Sequence, residues 1–439
     1  MSDTDAATTS PAPAAKSATH PGPIVIVGGG HAAAQLCSAR AAAGQGARVH
    51  LVCEEPELPY QRPPLSKAYL KNPAETLQAF RAEPWFAEAG IALHRADPAE
   101  AIDRAGRTLR LRSGAVLGYA HLVLATGTRA RRLPHLHDQL DNVAVLRTAA
   151  DAQRLRTLLD ATQRLTVLGG GFIGLEIAAT ARALGKRVTV LESAPRLLMR
   201  SVSPEISEHV LQTHRASGID IRLGVAVGGF EVEGQRLVAL HVEGQRETVE
   251  LMVLGIGAVP EHTLASDAGL ACENGIVVDA CMRTADPHIL AIGDCTSFPE
   301  GHASGGAEAA GRRLRLESVQ NANDQARTAA ACLLGREEPY RALPWFWSEQ
   351  AALRLQMAGL MPADGTRHRR PSGSANANSS ADTAATSFSI LHYVGERLVC
   401  VESVNAPVDH MAARKLLETG KSPAPAVACD AAVPLKSHL

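Results

Sequence analysis

Two short glycine clusters carry the clearest chemistry in this 439-residue chain: Gly28-x-Gly30-x-x-Ala33 and Gly169-x-Gly171-x-x-Gly174. Each position in such a cluster has its own physical task. The first glycine permits a tight turn after a strand, and the second lets backbone approach a pyrophosphate. The third position, glycine or alanine, lets helix and strand pack closely. The helix that follows turns free N–H groups and its positive dipole end toward the phosphates. Roughly 20 residues further on, Glu54 and Glu192 stand where a carboxylate would accept from ribose hydroxyls. One such match is weak; two in one chain point to two dinucleotides. A hydride-transfer enzyme with two such sites is most often a flavoprotein using a nicotinamide donor.

These residues can act only if strands and helices place them. Ile24–Val27 and Leu165–Leu168 are apolar runs fit for buried parallel strands. Each leads through its glycines into an Ala-rich helical stretch that stops near a glycine, Gly44 or Gly185. Further strands are expected at Arg48–Val52 and Arg187–Leu191, which makes two βαβ units 141 residues apart. Strand-like stretches follow at 235–242 and 247–254, then the turn glycines Gly255 and Gly257. A helix is expected over 312–334 and strands over 387–394 and 397–404. The low-complexity run 371–386 reads as a flexible surface loop.

Two more strands run into glycine turns, at Leu122–Thr128 and Ile289–Cys295. Asp294, just after Gly293, suits a hydrogen bond to the ribityl or phosphate groups of a flavin. On its own it would also suit an ordinary Gly-Asp turn.

Composition narrows the field. With 44 basic and 45 acidic side chains, the net charge of −1 provides no footprint for nucleic acid or an anionic membrane. Aromatic residues make up 3%, too few for a base-stacking surface. No apolar run approaches the roughly 18 residues of a membrane span. Eight cysteines without a Cys-x-x-Cys pair imply neither a disulfide scaffold nor a zinc ribbon, and no metal is expected. They read as reduced thiols of a cytoplasmic protein. Residues 1–23 lack the apolar stretch of a secretory signal and read as a disordered tail.

Five motifs occur together in order: Tyr60-Gln61-Arg62-Pro63-Pro64-Leu65-Ser66-Lys67, Ala125-Thr126-Gly127, Gly293-Asp294-Cys295, Arg315–Ala322, and Pro344-Trp345-Phe346-Trp347-Ser348. With them the chain resembles the FAD-dependent ferredoxin reductases of oxygenase systems, such as putidaredoxin reductase and the reductases of aromatic-ring dioxygenases. The likeness runs from about residue 24 to Val433–Lys436. It implies an α/β, glutathione-reductase-like fold: two Rossmann-like dinucleotide-binding domains and an α+β C-terminal domain. The FAD domain would span 24–133 and 263–335, the NAD domain 134–262, and the C-terminal domain 336–439.

The resemblance also implies site residues. The first unit would bind FAD through Gly28, Gly30, Ala32 and Ala33, with Glu54 on the adenosine ribose. Ala99, Thr126, Gly127, Arg147, Asp294 and the Val319 backbone would complete the FAD site. Lys67 would lie beside the isoalloxazine ring and pair with Glu176, and Trp347 would pack near the flavin edge. Gln320 stands where putidaredoxin reductase has proline. The second unit would bind the nicotinamide cofactor through Gly169, Gly171, Phe172, Ile173, Gly174 and Gly257. Glu192 there favours a free 2′-hydroxyl, hence NADH over NADPH; Arg196, four residues later, could meet a 2′-phosphate but reads rather as a solvated side chain.

The stretch from Glu54 to Lys67 contains no cysteine, so no disulfide relay is expected beside the flavin. Electrons would leave FAD one at a time for a [2Fe–2S] ferredoxin serving a haem-thiolate or Rieske oxygenase. Arg312, Arg313, Arg327 and Arg354 are expected to form a basic patch that steers this acidic partner. An NADH oxidase, a disulfide or quinone reductase, or a flavin-based redox sensor on the same scaffold is the alternative. The sequence leaves monomer and homodimer open.

Overall fold

The computed structural model describes residues 22–134, 136, 140–300, 312–372 and 387–439. Most of the expected tail (1–21) and of the expected loop (373–386) lies outside the described residues.

The first apolar run is the strand Ile24–Val27, buried along its whole length. It is the middle of a five-stranded parallel sheet in the order 289–291, 121–124, 24–27, 49–52, 92–94. Strands covered on both faces need continuous apolar runs, as in Ile24–Val27 and Leu122–Leu124. The chain returns to this sheet from beyond the second glycine unit, because Ile289–Ala291 pairs with His121–Leu124. Helix Val319–Leu333 then packs on helix His31–Ala42.

The second sheet repeats the plan, with parallel strands in the order 220–223, 187–192, 164–168, 251–254, 143–144. The expected strand 247–254 is in fact two strands of two different sheets. Gln245–Thr248 pairs antiparallel with Arg236–Val242 in a small three-stranded sheet, whereas Leu251–Leu254 pairs parallel with Arg164–Leu168. Glu250 marks the break, its carboxylate accepting from the N–H groups of Gln163 and Arg164. The expected helix 312–334 begins late, at Val319, capped by the Ser318 hydroxyl; Arg313–Leu314 is a short strand.

The C-terminal part is a five-stranded antiparallel sheet in the order 345–350, 353–359, 397–404, 388–394, 366–371, covered by helix Pro407–Glu418. Leu353, Leu355, Phe388 and Val404 of this sheet share one apolar core with Val167, Ile177 and Val190 of the second unit. Among the described residues, no helix is long and apolar enough to cross a membrane.

Candidate cofactor and electron-transfer site

The two glycine turns have the same backbone geometry. Gly28 N–H donates to Val52 O and Gly169 N–H to Leu191 O, both at 2.8 Å. Gly28 (φ +123°) and Gly169 (φ +108°) adopt a conformation that L side chains rarely enter. A Cβ on Gly28 would lie 2.2 Å from the Ala125 carbonyl oxygen, and one on Gly169 would lie 2.4 Å from that of Gly255. Gly30 and Gly171 are the N-cap residues of helices His31–Ala42 and Phe172–Ala183, and neither helix has a side-chain cap. The first-turn N–H groups of both helices are thus left for a ligand.

Both turns open into one cavity of about 2120 Å³. It is lined by Gly30, Ala32, Lys67, Gly127, Arg147, Asp294, Val319 and Trp347 on the side of the first unit. Gly169, Gly171, Phe172, Ile173, Glu192 and Gly257 line it on the side of the second. Gly28, Ala33 and Gly174 sit beneath this surface, where they let strand and helix approach. Thr126 is half-buried and turns its hydroxyl to the Glu261 carbonyl.

Two expected FAD residues lie away from the cavity lining. Ala99 belongs to the antiparallel strand Ala99–Asp103 and packs against the first core. Glu54 is exposed, one residue past the position that matches Glu192. Strand register makes the offset explicit, since Val27 pairs with Val52 as Leu168 pairs with Leu191. Cys53 is therefore the counterpart of Glu192. A Cβ on Gly29 would lie 3.2 Å from Cys53 Sγ, just as one on Gly170 would lie 3.1 Å from Glu192 Oε2.

In the first unit, Gly127 (φ +69°) has no side chain to obstruct Arg147, whose Nη2 would be 3.2 Å from a Cβ there. Arg147 Nη2 stands 3.5 Å from Asp294 Oδ2. Burial pushes the Asp294 carboxyl up, and the Arg147 guanidinium opposes that rise. Burial, reinforced by Arg62 and Arg147, lowers His31 to about 4. The Pro-Pro run is braced from below: Arg62 pairs with Glu55 at 2.7 Å, the Tyr60 hydroxyl donates to Glu55 at 2.6 Å, and Arg62 donates to the Arg147 carbonyl at 2.8 Å.

That bracing presents Ser66 and Lys67 to the second unit. Lys67 Nζ is 2.7 Å from Glu176 Oε2, with Lys67 23% and Glu176 4% exposed at their side chains. Glu176 also accepts from Ser66 Oγ at 2.5 Å and from Ser348 Oγ at 2.7 Å. The expected Lys67–Glu176 pair is thus formed, and two hydroxyls join it. Sequence reasoning missed both, along with Glu55, Tyr60, Arg62 and His31, although all but His31, Glu55 and Ser348 stand inside the motif run 60–67. A short polar side chain gives no sign of its distant partner until the fold brings the two together.

In the second unit, Glu192 accepts from Gly170 N–H at 2.6 Å and from Ala194 N–H at 2.7 Å, which fixes its carboxylate at the cavity wall. Arg196 is not a solvated side chain. It donates to the carbonyls of Val202 at 2.8 Å and Met199 at 2.7 Å and so braces the loop after Glu192. Ile173 is exposed to the cavity, and Phe172 meets Phe346 edge-on at 5.0 Å. Trp345 and Trp347 stack at 5.7 Å, and Arg414 lies 4.2 Å over the Trp345 ring. Gln320 does not disturb its helix; its Oε1 accepts from Trp345 N–H at 3.2 Å.

The expected arginine patch is not a free positive face. Arg313 is turned inward and donates to Ser297 Oγ at 3.0 Å and the Val278 carbonyl at 2.6 Å. Arg312 pairs with Glu300 at 3.1 Å, Arg354 approaches Glu349 at 3.8 Å, and Arg327 pairs with Asp324. All eight cysteines are free thiols, and burial raises both Cys37 and Cys53.

Known proteins share this construction. Residues 22–326 match the pyridine nucleotide-disulphide oxidoreductase family, and residues 345–439 match a reductase C-terminal domain. Rhodocoxin reductase of Rhodococcus erythropolis is 41% identical, over 94% of this chain and 93% of its own. The solved ferredoxin reductase for the CYP199A2 system of Rhodopseudomonas palustris superposes with a TM-score of 0.85 at 40% identity, covering 94% of this chain and 98% of that one. A covalent putidaredoxin reductase–putidaredoxin complex superposes with a TM-score of 0.85 at 37% identity, covering 95% and 98%.

Proposed function

Because this chain belongs to the pyridine nucleotide-disulphide oxidoreductase family and matches ferredoxin reductases along nearly its whole length, we propose that it is an NADH-dependent ferredoxin reductase serving an oxygenase. It carries electrons from NADH through FAD to a [2Fe–2S] ferredoxin. Bound FAD supplies the conversion from hydride transfer to single-electron delivery.

The residues present fit that cofactor. The first cradle offers uncapped N–H groups and no Cβ at Gly28 or Gly30, which suits a pyrophosphate. Arg147 and Asp294 line the cavity next to it as a cation and an acceptor. Gly293, also at positive φ, keeps the Asp294 turn close to Ala32. The helix start at Val319 adds free backbone N–H groups to the same lining.

Each remaining residue has a duty set by its place. The second cradle holds the nicotinamide dinucleotide, and the fixed Glu192 carboxylate accepts from its ribose. A 2′-phosphate would meet that negative charge, while Arg196, occupied by loop carbonyls, is not free to compensate; NADH is therefore preferred. Phe172, Ile173 and Phe346 wall the cavity with apolar surface and limit water where the two cofactors meet. Lys67, held by Glu176, places a cation there to stabilise negative charge on reduced flavin. Trp347, stacked on Trp345, lines the same cavity.

One observation carries the reading: both cradles open into one cavity, and the Lys67–Glu176 pair stands between them. No cysteine occurs from Glu54 to Lys67, so the chemistry has no disulfide stage at that place. The test is anaerobic. NADH should bleach the yellow protein far faster than NADPH, and an oxidised [2Fe–2S] ferredoxin should restore the colour. Equal rates with both nucleotides would overturn the NADH preference; bleached protein indifferent to ferredoxin would overturn the partner.

A further inference from the structure

Beyond Lys67 and Glu176, a buried polar chain continues through the C-terminal sheet. Ser348 Oγ donates to Glu176 Oε1 at 2.7 Å, Gln350 Nε2 donates to Ser348 Oγ at 3.2 Å, and Gln350 Oε1 meets His214 Nε2 at 2.8 Å. Glu176, Ser348, Gln350 and His214 are all at most 4% exposed. The strand alternates, so Ser348 and Gln350 face this chain while Trp345 and Trp347 face the other way and stack.

The donors have one consistent direction. The Gln350 amide gives an N–H to Ser348, which leaves the single Ser348 proton for Glu176. The Gln350 carbonyl then faces His214, whose Nε2 must carry hydrogen. Reversing the amide would turn the Ser348 proton away from Glu176 Oε1 and place two acceptors against each other. Helix Phe172–Ala183, the Pro-Pro run and the C-terminal sheet thereby converge on one carboxylate.

We infer that Ser348, Gln350 and His214 are positioning residues that set how much of the Lys67 charge reaches the flavin. The inference rests on the reading that places Lys67 beside the flavin. A carboxylate that receives strong hydrogen bonds from Ser66 and Ser348 leans less on its lysine, so more positive charge is left for the flavin. Without the Ser348 hydroxyl, Glu176 takes more of that charge, and reduced flavin is less stabilised.

The experiment is an equilibrium titration of FAD-loaded protein against a reference redox dye, with FAD content and far-UV circular dichroism as checks. Ser348→Ala should lower the ratio of reduced to oxidised flavin about three- to tenfold, and Ser348→Thr, which keeps the hydroxyl, should restore it. Should Ser348→Ala fail to fold, Gln350→Leu, one link further out, should give a smaller shift in the same direction. Lys67→Met separates the two layers of the argument. A shift in Lys67→Met with an unchanged Ser348→Ala overturns the chain and leaves the Lys67 reading intact. No shift in Lys67→Met overturns both.

Discussion

Between Gly28 and Val52, and again between Gly169 and Leu191, the backbone closes with a hydrogen bond of 2.8 Å, yet the residues around the two turns differ. The first unit has alanine at Ala33 and Ala125 where the second has Gly174 and Gly255. A Cβ on Gly255 would lie 3.0 Å from the Gly174 Cα, so helix and loop meet more tightly in the second unit than alanine allows. His31 opens the first helix and Phe172 the second. Opposite the middle glycine stands the thiol of Cys53 in one unit and the carboxylate of Glu192 in the other. The shared part is what any pyrophosphate needs, and under the proposed function the differing part would separate a resident cofactor from a nucleotide that comes and goes.

The strongest way to break this comparison is to add one methyl group to each turn. Gly28→Ala forces a Cβ to 2.2 Å from the Ala125 oxygen and should cost roughly 1–3 kcal/mol of stability together with the bound flavin. Gly169→Ala should leave the protein yellow and raise the apparent Kd for NADH at least about tenfold. Flavin content and NADH titration read the two outcomes, and a colourless Gly169→Ala protein would contradict the division of labour.

Next in size is the pair between the cradles. Glu176→Gln should keep FAD and slow flavin reduction at saturating NADH by about 10- to 100-fold in stopped flow. A smaller change is expected at Glu192, where only the second unit has a carboxylate. Glu192→Ser should weaken NADH by about tenfold and narrow its advantage over NADPH, as the ratio of kcat/KM values will measure.

The smallest effect distinguishes His31 from Phe172. Folding holds His31 at about 4, below its ordinary 6.5. Between those values the unfolded chain binds a proton that the folded chain refuses, so stability falls as pH drops from 6.5 toward 4. In FAD-free protein, His31→Asn should flatten that acid limb in denaturant titrations, with little change at neutral pH.

Much of this architecture was legible in the sequence because glycine spacing and continuous apolar runs report local backbone geometry. Both βαβ units, the helix ends near Gly44 and Gly185 and the C-terminal strands follow from such local signals. The run 247–254 misled because two strands of different sheets abut with only Val249 and Glu250 between them. Glu54 looked equivalent to Glu192 because spacing alone does not reveal register. It lies 26 residues after Gly28, against 23 from Gly169 to Glu192, with two of the three extra residues before the end of its strand and one beyond it. The arginines around 312–354 looked like a patch because a count of charges leaves out their partners: Asp324 pairs with Arg327 one helical turn away, while the contacts of Glu300 and Glu349 depend on the fold. Ser348 and Gln350 were silent for the same reason.

The most direct test of the account is NADH-driven cytochrome c reduction by the purified FAD-loaded protein, with and without a [2Fe–2S] ferredoxin. Since ferredoxins discriminate among reductases, several should be tried. The account predicts that cytochrome c reduction is slow alone, rises steeply with a suitable ferredoxin, and saturates. Rapid NADH consumption that ignores every ferredoxin and follows oxygen or a small oxidant would contradict it and make this chain an oxidase on a reductase scaffold.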